Sequence, residues 1–215
     1  MKINYTKILI IGCVIGIGIS IFVFCHFQKI YTNVDFNIKT YLSSVDKDND
    51  GVDDQTDILN SVKKYIETRP KYKSVYYSNG YPDDEHGVCT DVVAQGLLHS
   101  GYDLQILVDN DIEAFSDLYT GVKKKDDNID FRRVVNLDVY FKNNHIILTN
   151  DIYDIEKWQG GDIVVFKGHI GIVSDRRNKE GIPFIYHHAN PFQLHYEEDI
   201  LKRYKDNIIG HYRVS

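Results

Sequence analysis

The stretch "GVCTDVV", residues 87–93, contains Cys89, the cysteine best placed for covalent chemistry; the other two are Cys13 and Cys25. A thiol attacks carbonyl carbon as its thiolate, so it needs a base nearby. Three histidines in the C-terminal third are the candidates: His169 in "FKGHIGIVSD", and His187 and His188 in "IYHHA". A histidine can take the thiol proton and return it to a leaving amine, while a third polar group holds the imidazole in its productive tautomer. Taken singly, Cys89 also reads as a small buried hydrophobe and His169 as a satisfied strand-end histidine. The catalytic reading rests on the combination.

These residues need particular elements to bring them together. "YYSNGYPDDEHG" is rich in turn formers, with Asp83, Asp84 and Glu85 read as a solvated turn. "VCTDVVAQGLLHSG" then carries apolar Val88, Val92, Val93, Leu97 and Leu98 at helical spacing, with Ser100 and Gly101 at its end. Cys89 falls in the first turn, where unpaired amides and the helix dipole favour a thiolate and could hold an oxyanion. Asp162 to Phe166 and His169 to Ser174 read as strands joined by a tight hairpin at Lys167 and Gly168. "PFIYHHA" reads as the next strand, and its period of two sends His187 and His188 to opposite faces, so only one can orient His169. Asp130, Arg132 and Arg133 are expected to form a buried ion pair rather than a clamp on a substrate carboxylate. Trp158 and the tyrosines are expected mainly in the core.

A second cluster precedes this machinery. "DKDNDGVDDQTD", Asp46 to Asp57, offers Asp46, Asp48, Asp50, Asp54 and Asp57 at positions 1, 3, 5, 9 and 12, Gly51 at position 6 and the Val52 carbonyl at position 7. That is the spacing by which an EF-hand loop wraps Ca²⁺ in oxygen ligands. "ILNSVKKYIETRP" follows as a helix that must stop near Pro70. The loop resembles the calcium loops of dockerin repeats, without a second copy. The alternative is a solvated acidic loop in which Asp57 caps the helix. The ion would be structural.

The N-terminal run Ile8–Cys25 carries no charged side chain. As a helix it would reach about 27 Å, enough to cross a bilayer. Lys2 and Lys7 precede it, so an uncleaved anchor with a cytoplasmic N-terminus is expected, the remainder lying outside the cell membrane. The expected organisation is an anchor over 1–29, a juxtamembrane segment over 30–45, the calcium loop over 46–57 and one globular domain over 58–215. Beyond the anchor and its flanking lysines the chain carries 22 basic against 31 acidic residues, which argues against a nucleic-acid partner.

The blocks "GYPDDEHGVCTDVV", "NIDFRRVVNL", "WQGGDIVVFKGHIGIVSDRR" and "IIGHYR" resemble the bacterial domain-of-unknown-function family 1287, in the order expected of that family, across most of Asp57 to Arg213. The resemblance implies kinship with papain-like, NlpC-type cysteine peptidases: an α+β fold with the nucleophile helix packed on an antiparallel sheet. It implies Cys89 as nucleophile, His169 as base and His187 at the third position. Two positions depart from the family pattern: His188 stands where asparagine is more usual, and Phe131 where histidine is. The expected function is hydrolysis of a peptide or amide bond, with cell-wall peptide as the expected substrate. The rival is a catalytically silent, calcium-stabilised binding module on the same fold.

Overall fold

The computed structural model describes residues 30–215, of which Tyr31–Ser215 form one compact unit. The Ile8–Cys25 run lies outside the described residues; among those described, no helix is long and apolar enough to cross a membrane. Helix α1 spans Asp54–Glu67. It starts inside the acidic loop because Asp53, not Asp57, caps it by accepting the Thr56 N–H at 3.3 Å. Ile58 and Val62 on its inner face are fully buried.

Two short strands, β1 (Lys71–Tyr72) and β2 (His86–Gly87), pair in parallel and deliver the chain to helix α2, Cys89–Leu98. Helix α3 (Leu104–Ala114) starts at Asp103, whose carboxylate accepts the Gln105 N–H at 3.0 Å. Then come α4 (Asp127–Asp130) and α5 (Val134–Asn144). Strands β3 (Ile146–Ile147), β4 (Ile163–Phe166), β5 (His169–Arg177), β6 (Pro183–Tyr186) and β7 (Glu197–Glu198) are followed by α6 (Leu201–Tyr204) and β8 (Ile208–Arg213). Among the described residues the main sheet is antiparallel throughout, in the order β3-β8-β4-β5-β6-β7. The α+β class and the antiparallel sheet expected from sequence are present.

Period-two alternation divides the core. Ile163, Val165, Ile170 and Ile172 face Val92, Val93 and Leu97 of α2, while Val164, Phe166 and Val173 pack with Trp158, Ile185 and Leu201 on the other face. Helix α2 comes close to β5: a side chain at Gly96 would place its Cβ 2.7 Å from Ile172 Cδ1. Glycine inside a helix costs about 1 kcal/mol relative to alanine, a cost offset here by tight packing. The β4–β5 hairpin turns at Lys167 and Gly168, the latter at φ +80°, with Phe166 facing His169 across the ladder. Strand β5 runs on to Arg177, beyond the Ser174 end expected from its pattern.

One buried carboxylate joins the ends of this layer. Asp162 accepts both arms of Arg213 at 2.7 and 2.8 Å, the Gln159 N–H at 2.8 Å and the Gln55 amide at 2.9 Å, with His211 Nε2 at 3.2 Å. His211 in turn stacks on Trp158 with ring centroids 3.7 Å apart. The "WQGGD" and "GHYR" blocks are therefore partners in the scaffold.

Candidate active site

Cys89 opens α2 and keeps a partly exposed edge; it is a free thiol. Its position is held by Asp91, which is fully buried and accepts the Val88 N–H at 2.8 Å at the helix start. Asp91 also receives Arg132 through a bidentate pair, Nε at 2.7 Å and Nη2 at 2.9 Å, while Arg132 Nη1 donates to the Val75 carbonyl. The buried ion pair expected within "IDFRR" is thus made by Arg132 with Asp91. Asp130 instead stands 3.8 Å from the half-exposed Arg133. Phe131 is buried against Tyr81, with ring centroids 4.9 Å apart. Asp84, in the acidic turn, is not simply solvated: it accepts from Tyr77 Oη at 2.8 Å and lies 3.1 Å from His86 Nδ1.

The Cys89 thiol meets the backbone N–H of Ile170, the residue after His169, together with those of Thr90 and Cys89 itself. These amides favour a thiolate, yet burial outweighs them and pushes the thiol up to about 11; the Asp91 carboxylate acts in the same direction as burial. The helix start therefore does not lower this thiol as its position alone suggested, because dense packing desolvates the charge more than the amides stabilise it.

His169 and His187 are brought together. His169 Nε2 lies 3.1 Å from His187 Nδ1, the two rings edge to face, and His169 makes no hydrogen bond to the thiol. Burial, then the neighbouring His188, brings His169 down to about 4. Burial, then His169 and His188, brings His187 down to about 3. Both rings are therefore neutral at pH 7. Their closeness depends on Gly171, where an added Cβ would stand 2.5 Å from Ile185 Cγ2 and 3.3 Å from His187 Cβ. Glycine lets β6 carry His187 up against β5.

His188 is buried elsewhere, edge-on to Tyr72 and Tyr196, with Nδ1 lacking a hydrogen-bond partner. A cavity of about 510 Å³ opens beside His169 and His187, bordered by Glu198, Lys167, Arg203 and Tyr204. Glu198 Oε2 is 3.3 Å from His187 Nε2. Nothing in the local sequence marks Glu198, since its neighbour comes from a different strand. Asp91 carried no expectation from the sequence; an acidic residue at the third helical position is the signal that could have found its capping role, but nothing local marks its pairing with Arg132.

The acidic loop is only partly arranged as its spacing suggests. Asp46, Asp48 and Asp50 each bring one carboxylate oxygen within 4.8 Å of the others. Asp46 and Asp48 both accept the Asp50 N–H, and the Val52 N–H donates to Asp50. Asp57 turns a buried Oδ2 without a hydrogen-bond partner, and its carboxyl is raised by burial, then by Asp50 and Asp48, against hydrogen bonds from Ser100 and Ser61. Asp54, expected as the position 9 ligand, is instead buried as the first residue of α1, bonded to the Lys47 N–H and the Tyr102 hydroxyl. Packing against Tyr102 draws it out of the ligand set.

Comparison with known proteins places this architecture in a family. The chain is 35% identical over 152 residues to the "Uncharacterized protein YijF" of Escherichia coli (strain K12), covering 67% of this chain and 72% of that protein. No solved structure matches it. Residues 59–214 match the family described as "Domain of unknown function (DUF1287)", a span that takes in Cys89, the Asp91–Arg132 pair, His169, His187 and the Asp162 hub, and the chain belongs to that family.

Proposed function

We propose that the protein is a cysteine hydrolase of papain-like, NlpC-type kind, anchored through its N-terminal segment outside the cell membrane and acting on a peptide or amide bond of the bacterial wall. The observation that supports this best is a thiol at a helix start, beside the first residues of the strand that carries His169, with His187 just past the end of the next strand against that imidazole. In this reading the Cys89 sulfur attacks the carbonyl carbon as His169 takes its proton. The amide breaks as His169 returns that proton to the amine, leaving a thioester. Water then attacks the thioester, giving its proton through His169 to the thiol, and the carboxylic acid departs. The Cys89 and Thr90 amides stabilise the oxyanion and His187 orients His169. The test is to incubate the full chain with wall peptide fragments and assay newly exposed amino groups.

One observation favours the rival, a silent wall-binding module: the thiol is pushed up, His169 is pushed down and the two are not hydrogen-bonded. Binding of the same fragments without release of amine, unchanged in Cys89→Ala, identifies that module.

The proposal includes a structural Ca²⁺ held by Asp46, Asp48, Asp50, the Val52 carbonyl and Asp57. It is supported by three converging oxygens and the unpartnered Asp57 Oδ2, whose crowding by Asp48 and Asp50 a cation would relieve. Tenfold to hundredfold excess of calcium over Kd stabilises by about 1.4–2.7 kcal/mol. Chelation is therefore expected to lower Tm by about 4–8 °C, measured by thermal unfolding with and without calcium. The paired variant Asp48→Asn/Asp50→Asn should lose the response. A wild-type Tm indifferent to calcium removes the ion.

A further inference from the structure

The pair His169–His187 does not end at His187. His187 Nδ1 faces His169 Nε2 at 3.1 Å, and its other nitrogen, Nε2, stands 3.3 Å from Glu198 Oε2 on β7. We infer that Glu198 is a positioning residue which sets the tautomers of both histidines and thereby leaves His169 Nδ1 as the free base. This deepens the hydrolase reading and rests on it.

Donor and acceptor roles along the chain Glu198, His187, His169 fix the tautomers. An ionised carboxylate repels a ring lone pair and attracts an N–H, so the His187 nitrogen 3.3 Å from it carries the proton even without an aligned hydrogen bond. A neutral imidazole has one N–H, which leaves His187 Nδ1 as an acceptor. His169 Nε2 must then donate across the 3.1 Å contact, and His169 Nδ1 keeps its lone pair. Gln193 does not reverse the order. Its amide nitrogen lies 3.5 Å from His187 Nε2, but it donates at 3.1 and 2.7 Å to the carbonyls of His187 and His195, which use both of its protons. Other charged or titratable groups around the pair are His188 from the chain after β6, with Lys167, Arg203 and Tyr204 on the cavity border.

Glu198 is partly exposed on the cavity that also borders both histidines, so its exchange does not open the core. The experiment uses the full chain labelled with ¹⁵N-histidine at pH 7, in wild type, Glu198→Ala and Glu198→Gln, reading imidazole nitrogen shifts and the alkylation rate of Cys89. Wild type is expected to show His169 and His187 both protonated at Nε2. Glu198→Ala should mix or reverse the tautomers and slow alkylation by about tenfold, since a wrong tautomer disables a base. Glu198→Gln, whose carbonyl oxygen can still accept, should restore the tautomers and most of the rate.

His187 protonated at Nδ1 in wild type, or tautomers unchanged in Glu198→Ala, overturns the inference. Failure of the hydrolase reading looks different: alkylation then ignores His169→Ala as well, whatever the tautomers. A rate sensitive to His169→Ala but not to Glu198→Ala keeps the pair and rejects Glu198.

Discussion

Cys89→Ala is expected to abolish amine release from wall peptide fragments, and His169→Ala to reduce it by a factor of about 10²–10⁴, the usual worth of a positioned general base. Neither change should unfold the protein, because Cys89 and His169 are partly exposed and neither carries a buried ion pair. The pH profile provides a sharper test than the loss itself. A general base works only when unprotonated. An ordinary histidine would therefore lose activity as pH falls through about 6.5, whereas burial has brought His169 down to about 4. Turnover should persist through pH 5 and fail near 4. On the alkaline side the thiol, pushed up to about 11, stays protonated and so depends on the imidazole across the neutral range.

The same shifts affect stability. A histidine whose folded pKa is depressed favours the neutral form in the fold, so its contribution is complete above the unfolded value and is lost as pH falls through the folded one. Loss of activity near pH 4 must therefore be read beside circular dichroism at each pH. An acid limit near 6.5 with the fold intact would show that His169 titrates as an ordinary imidazole. Equal turnover in wild type and His169→Ala would end the catalytic assignment.

The second large effect is expected at Arg132. Arg132→Ala leaves the Asp91 carboxylate fully buried with the Val88 N–H as its remaining donor. Breaking a buried ion pair by removing one partner typically costs about 3–5 kcal/mol, which for a chain of this size lowers Tm by about 10 °C. Asp91→Ala should be similarly costly, since it strands a buried guanidinium and uncaps the helix that begins with Cys89. The double variant Asp91→Leu/Arg132→Met should be more stable than either alanine variant, because no charge is left unpaired. Urea unfolding of the three proteins measures this directly, and a loss below about 1 kcal/mol in both single variants would show that water reaches and solvates the pair.

Several features of this protein could be read from the amino-acid order because the forces behind them are local. Apolar spacing after Cys89 marks a helix, alternation on either side of Lys167 and Gly168 marks a hairpin, and both are present at those places. Alternation was expected to part His187 and His188, and they do part, although β6 ends at Tyr186 just before them: one meets His169, the other Tyr72 and Tyr196. The aspartate spacing of residues 46–57 likewise foretold a loop whose first three carboxylates converge.

Other features involve residues far apart in the chain and arise only when it packs. Arg132 could have paired with Asp130 beside it, but the packing of α2 carries it to Asp91. Asp54 has the right spacing for a metal ligand, yet Tyr102 captures it. His187 finds Glu198 because β6 and β7 are neighbours in the sheet. The thiol runs against its sequence expectation most clearly: a helix start lowers a cysteine's pKa, but that field is modest and falls off within a turn. Desolvation depends on everything packed around the sulfur, and here it wins. Local patterns are written in the spacing of side chains; burial and long-range pairing exist only once the chain has closed on itself.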